Sequence, residues 1–102
     1  MIKEITQADY REAIAATPGG VCIVFKELCP HCKNMEKVME KFGQLVPDAV
    51  LLGLDIQKNP EAAAALGAEW APTLCIIKAG VVRQQKTGLM NPRELLALYQ
   101  AG

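Results

Sequence analysis

Two of the chain's four cysteines stand three residues apart, as Cys29-Pro30-His31-Cys32. On one helical turn that spacing brings two sulfurs within bridging range. The chemistry it allows is reversible disulfide formation by thiol–disulfide exchange. The competing reading is half of a zinc site. A closed structural zinc site takes four ligands, and no second cysteine pair has matching spacing. Cys22 and Cys75 fall singly inside the apolar runs Val21-Cys22-Ile23-Val24-Phe25 and Thr73-Leu74-Cys75-Ile76-Ile77. They read as buried small hydrophobes, and neither metal nor cofactor is expected on the chain.

The two sulfurs have different expected jobs. The motif sits where an apolar strand-like run gives way to a helical pattern. Pro30 suits the first helical position, where its missing N–H costs nothing. The unpaired N–H groups and dipole of that helix end favour an anion, so a Cys29 thiolate is stabilised. From Cys32 onward, Met35, Val38, Met39, Phe42, Leu45 and Val46 recur at intervals of three and four. Cys32 lies on that core-facing stripe and Cys29 at the helix tip. Cys29 is therefore the expected attacking thiolate and Cys32 the buried resolving thiol. His31 lies between them, and its imidazole can offer the thiolate an N–H or a positive charge. Such help stabilises the reduced form and makes the disulfide a better oxidant. The plainer reading of His31 is an idle exposed residue.

The elements around the motif alternate. Thr6-x-x-Asp9 has the form of a capping box before a helix over 10–16, and Pro18-Gly19-Gly20 breaks it. Residues 21–25 are a central strand. The helix after the motif has a weak point at Gly43 and ends at Pro47. Residues 49–56 are a second buried strand. Asn59 caps a helix through Leu66, with Pro60 in its first turn and Gly67 closing it. Residues 73–77 and 81–86 form a hairpin about Ala79-Gly80, and Gly88 ends its second strand. Asn91-Pro92-x-Glu94 opens a last helix through Tyr99. With a first strand at residues 2–5, the order is β, α, β, α, β, α, β, β, α. The fold class is α/β, a mixed sheet of four to five strands flanked by about four helices.

Composition narrows the partners. A chain of 102 residues with a 51% hydrophobic fraction is expected to be one domain, residues 1–102, with one core. Eleven basic and eleven acidic residues cancel, which leaves no basic field for nucleic acid. No apolar run is long enough to cross a bilayer. Residues 1–7 carry early charges and no signal-peptide pattern. The expected address is the cytoplasm, where a disulfide is catalytic or a sensor and seldom structural.

In motif order and spacing the chain resembles the thioredoxin family over nearly its whole length. The resemblance rests on the redox tetrapeptide after Val21–Phe25, Lys33 behind it and Asp55-Ile56-Gln57-Lys58-Asn59-Pro60. Ala71-Pro72-Thr73, Lys78-Ala79-Gly80 and Gly88 complete it. Within the family it is most similar to the small atypical thioredoxins of anaerobic sulfate-reducing bacteria. The resemblance implies a thioredoxin fold and a monomeric electron carrier that reduces protein disulfides. It also implies a dithiol reductase, a flavoprotein, as electron donor. It makes Pro72 cis and pairs the Ala71 backbone with an extended substrate segment. Leu28, Trp70, Gly88 and Leu89 complete the expected substrate-facing rim.

Three departures stand out. Leu28 replaces the usual tryptophan before the first cysteine. Ile23 and Gly53 replace the buried acid under the second cysteine and its lysine partner, which leaves water, Glu27 or another group to take the Cys32 proton. Pro-His replaces Gly-Pro between the cysteines. Pro-His is the dipeptide of the periplasmic disulfide-forming oxidase, an enzyme with a helical insertion that this chain has no room for. An oxidase or isomerase, and a glutathione-linked reductase of glutaredoxin type, are the rival activities.

Overall fold

A computed structural model of the chain describes residues 2–101. The elements are β1 (Lys3–Ile5), α1 (Tyr10–Ala15), β2 (Gly19–Phe25), α2 (Pro30–Leu45) and β3 (Val50–Asp55). They continue with α3 (Pro60–Ala65), β4 (Thr73–Lys78), β5 (Val81–Thr87) and α4 (Pro92–Ala101). The strands form one sheet in the order β1-β3-β2-β4-β5. β1, β3 and β2 run parallel, while β4 is antiparallel to both β2 and β5. This is the expected mixed sheet, with five strands and four helices among the described residues.

Alternation along the central strands divides the core in two. Cys22 and Val24 of β2 face one side with Leu52, Leu54, Cys75 and Ile77, under Tyr10 and Ile14 of α1 and Ala62 and Ala63 of α3. Val21 and Ile23 face the other side with Leu51, Leu74 and Ile76, under Met35, Met39 and Phe42 of α2 and Leu95 of α4. A strand buried on both faces carries an unbroken apolar run, and this is why residues 21–25 have no polar alternation. The Phe42 ring meets Tyr99 edge-on with centroids 5.1 Å apart, joining α2 to α4. Truncating this fully buried ring to alanine would cost about 3–5 kcal/mol.

Several local readings change in the folded chain. Gly19 and Gly20 do not break a helix; both are strand residues of β2. A Cβ on Gly20 would come 2.2 Å from the Val50 carbonyl oxygen, and one on Gly19 would come 2.3 Å from the Tyr99 hydroxyl. These positions take glycine for close approach. Gly43 sits inside an unbroken α2, where a Cβ would come 3.0 Å from Leu51 Cδ1, so that side chain would have to give way to a larger residue. Asn59 precedes α3 but makes no side-chain cap. Its Oδ1 accepts from the Gln7 N–H at 2.9 Å and its Nδ2 donates to the Asp55 carbonyl at 3.1 Å, which ties α3 to the first loop. The capping box expected at Thr6 forms only in half. Asp9 Oδ1 accepts from the Thr6 N–H at 2.7 Å, but the Thr6 hydroxyl accepts from the Ala8 N–H at 3.2 Å, and Asp9, the N-cap of α1, makes no side-chain cap bond. The one at Asn91 is complete: Asn91 and Glu94 exchange side-chain to N–H bonds of 2.8 and 3.1 Å.

Candidate active site

β2 delivers the chain to the redox motif. Leu28 turns it with a left-handed φ of 56° and stands almost fully exposed, at 93%. Cys29 is the N-cap of α2, and Pro30 occupies its first turn. The Cys29 Sγ accepts the Cys32 N–H at 3.2 Å. A sulfur thus fills the place where a serine or aspartate oxygen commonly satisfies a free helix N–H. α2 starts at Pro30, the first helical position that the motif predicts.

The electrostatics of the two sulfurs diverge. The Cys32 thiol donates to the Cys29 sulfur and is the largest influence holding the Cys29 thiol below its ordinary value. Burial opposes this, and the Cys32 N–H, the Lys26 charge and the His31 N–H reinforce it. Cys32 moves the other way. Burial, then its bond to Cys29, push its thiol up to about 11, with the Glu36 charge one turn along α2 adding to the rise. Cys29 is 6% exposed and Cys32 1%, so the helix tip is more covered than its place in the sequence suggests. His31 acts on Cys29 through its backbone N–H, while the imidazole itself is exposed.

Strand register assembles the rest of the site. Val24 of β2 pairs with Thr73 of β4, so the Ala71-Pro72 loop lies at the end of the sheet from which Cys29 emerges. The Ala71–Pro72 peptide is cis. Thr73 pairs in turn with Thr87, which brings Gly88 alongside. The Gly88 N–H donates to the Pro72 carbonyl at 3.3 Å, and Gly88 has a φ of 89°, a conformation that favours glycine. Trp70 is 71% exposed, and its carbonyl accepts from the Thr73 hydroxyl at 2.6 Å. Leu89 is 55% exposed. Three loops therefore each present one exposed large apolar side chain: Leu28, Trp70 and Leu89.

Two features of the site were not read from the sequence. The Met90 N–H donates to Met35 Sδ at 3.4 Å, which fastens the Gly88 loop to α2. Lys26 places a positive charge near Cys29. The Lys26 position directly after β2 was a usable signal; the Met35–Met90 contact spans 55 residues and was not.

The region that holds a buried acid in the resembling family is apolar here. Ile23 is fully buried and pairs with Gly53. A Cβ on Gly53 would meet Ile2 at 3.1 Å and the Phe25 ring at 3.3 Å. Asp55 is the one buried carboxylate among the described residues. Its Oδ1 is occupied by the Gln57 and Lys58 N–H groups at 2.8 and 3.2 Å. Glu27 is exposed and pairs with Lys58 at 3.4 Å. Among the described residues no cluster of three or more His, Cys, Asp or Glu side chains could hold a metal ion. No helix among them is long and apolar enough to cross a membrane.

The thioredoxin family model matches residues 1–101. The thioredoxin of Rhodospirillum rubrum is 26% identical over 102 residues, covering 98% of each chain. That of Bacillus subtilis strain 168 is 30% identical over 95 residues, covering 90% of each. The reduced solution structure of desulfothioredoxin from Desulfovibrio vulgaris Hildenborough superposes with a TM-score of 0.86 at 41% identity, covering 98% of this chain and 96% of that one. Mitochondrial thioredoxin 3 of Saccharomyces cerevisiae, in its oxidised form, gives a TM-score of 0.86 at 24% identity over 98% of this chain and 94% of that one, a likeness of fold. Thioredoxins act on disulfide substrates and are reduced by thioredoxin reductase. The matches favour this activity over the oxidase, isomerase and glutaredoxin readings. The chain belongs to the thioredoxin family and is a protein-disulfide oxidoreductase working by dithiol–disulfide exchange.

Proposed function

We propose that Cys29 is the nucleophile and Cys32 the resolving thiol of a reductase for protein disulfides. The Cys29 thiolate attacks one sulfur of a substrate disulfide; a Cys29–substrate bond forms and the substrate S–S bond breaks. Cys32 then loses its proton and attacks Cys29, which releases the second substrate thiolate and leaves a Cys29–Cys32 bridge. Two electrons have passed to the substrate. The observation that carries this assignment is the Cys29 sulfur seated as N-cap on the Cys32 N–H, while Cys32 is held as a thiol.

The substrate face consists of Leu28, Trp70, Ala71, Pro72, Gly88 and Leu89, with Pro30 setting the helix start and His31 tuning the thiolate. An extended substrate segment hydrogen-bonds the Ala71 backbone while the exposed apolar side chains cover it. Concavities of about 550 Å³ open against β5 and along α2 and α4, and their linings hold neither Cys29 nor Cys32. The protein works as a monomeric single domain in the cytoplasm, reduced by a flavoprotein thioredoxin reductase and carrying no cofactor. Thiolate stabilisation places its midpoint potential above about −270 mV and well below about −120 mV.

A trapping experiment tests the roles. Cys32→Ser should accumulate mixed disulfides with substrate proteins, and Cys29→Ser should accumulate almost none. Equal trapping by both variants would overturn the assignment.

A further inference from the structure

Cys22 and Cys75 have no part in that exchange. They stand directly opposite each other on β2 and β4, in the register that pairs Val21 with Ile76 and Ile23 with Leu74. Opposed residues on antiparallel strands project to the same face. Their Cα atoms lie about 4.5 or 5.5 Å apart, depending on whether the pair is hydrogen-bonded. Both separations fall inside the window of about 4.4–6.8 Å that a disulfide spans. Both side chains are fully buried in one cluster, on the face covered by α1 and α3. α2 lies on the other face. The sheet stands between this pair and Cys32, so the two pairs do not exchange within one molecule.

The cover over Cys75 is shallow on one side. Gln85 of the edge strand β5 donates its Nε2 to Cys75 Sγ at 3.7 Å, and Gln85 is itself exposed. The register of β4 and β5 slips at Ile76/Ile77, next to this contact. A protein or a glutathione-sized disulfide cannot reach a fully buried pair, so an oxidant for it has to be as small as a peroxide, admitted when the exposed Gln85 side chain swings away from Cys75.

We infer that Cys22 and Cys75 are a second dithiol couple, closed by hydrogen peroxide into a cross-strand disulfide. The bridge fastens the strand that leads to Cys29 to the strand that follows the Ala71-Pro72 loop. In the first step the Cys75 thiolate takes one oxygen of the peroxide, forming a sulfenic acid as the O–O bond breaks and water leaves. In the second, the Cys22 sulfur attacks that sulfur and expels a second water. Two thiols and one peroxide give one disulfide and two waters. The order of events follows from the surroundings. Burial raises both thiols; the Gln85 contact moderates the rise at Cys75, to about 11, while the proximity of Cys75 pushes Cys22 higher still. Cys75 thus ionises first and Cys22 resolves. Cys29 is held below 9.0, so its thiolate is at least about 100 times more abundant near neutral pH than that of Cys75. The active-site pair closes first.

The test uses a Cys29→Ser/Cys32→Ser protein treated with hydrogen peroxide, quenched with catalase, unfolded and alkylated. Both remaining cysteines should escape alkylation. Trypsin should release residues 12–26 joined to residues 59–78. The reaction should run at least about tenfold slower than closure of the Cys29–Cys32 bridge in the parent, because the greater nucleophilicity of the more basic Cys75 thiolate offsets part of its scarcity. The thermal midpoint should rise by roughly 10 °C or more. If the double variant does not fold, the parent with its Cys29–Cys32 bridge already formed gives the same peptide map. Adding Cys75→Ala should leave Cys22 open to alkylation. Two alkylatable cysteines after prolonged treatment would overturn the inference. So would a sulfinic acid on one of them without the joined peptides, or a bridge seen only after unfolding.

Discussion

Iodoacetamide at pH 7 should mark Cys29 at least about tenfold faster than Cys32, and the structure sets this number. A thiol pushed up to about 11, as Cys32 is, exists as thiolate in about one molecule in 10⁴ at that pH. Cys29 is held below 9.0, which makes its thiolate fraction at least about one in 100. The gap is a factor of at least about 100. The less basic thiolate is also the weaker nucleophile. A Brønsted slope of about 0.4–0.5 returns roughly eightfold of that advantage to Cys32. About tenfold survives as a floor, and the lower exposure of Cys32 adds to it. Both cysteines fall in the tryptic peptide 27–33, so fragmentation of the singly alkylated peptide locates the label. The reduced parent should be used, since replacing either cysteine removes a group that sets the other's ionisation. Equal labelling would refute both the helix-cap argument and the division of roles.

Three further expectations follow from the same geometry. Leu28→Gly relieves a left-handed φ and removes an exposed apolar side chain; urea unfolding should show a gain of up to about 1 kcal/mol, while insulin reduction should slow, and unchanged turnover would remove Leu28 from the substrate face. His31→Leu keeps the backbone N–H that acts on Cys29, so a redox titration should find the potential lowered by about 30 mV, the low end of the range for a charge-assisted bond; an unchanged potential would make the imidazole a bystander. The third concerns alkaline pH. Cys32 and Cys75 ionise near 11 when folded, so above about 9 the unfolded chain loses protons first and stability falls, by about 1.4 kcal/mol per pH unit per thiol. The urea midpoint of the reduced protein should decline from pH 9 to 11, and forming the Cys29–Cys32 bridge should remove the Cys32 share; a flat profile would contradict the burial of these thiols.

Where chemistry depends on neighbours in the chain, it was legible from the sequence alone. The three-residue spacing of the cysteines, Pro30 and the stripe from Met35 to Val46 sufficed to predict a sulfur at a helix N-terminus and a second sulfur turned toward the core. The helix start at Asn91 was legible for the same reason, since its exchange with Glu94 closes within one turn. Gly19 and Gly20 were misread because what excludes a side chain there is Tyr99 and Val50, residues brought close only by folding. Asn59 has the composition of a cap, yet its amide serves Gln7 and Asp55. Register decided the rest. The pairing of β2 with β4 and of β4 with β5 sets the Gly88 N–H on the Pro72 carbonyl and Cys22 across from Cys75. Local sequence carries periodicity and turn chemistry. It does not carry which strands become neighbours or in what alignment, because that choice is made by burying both faces of the sheet at once.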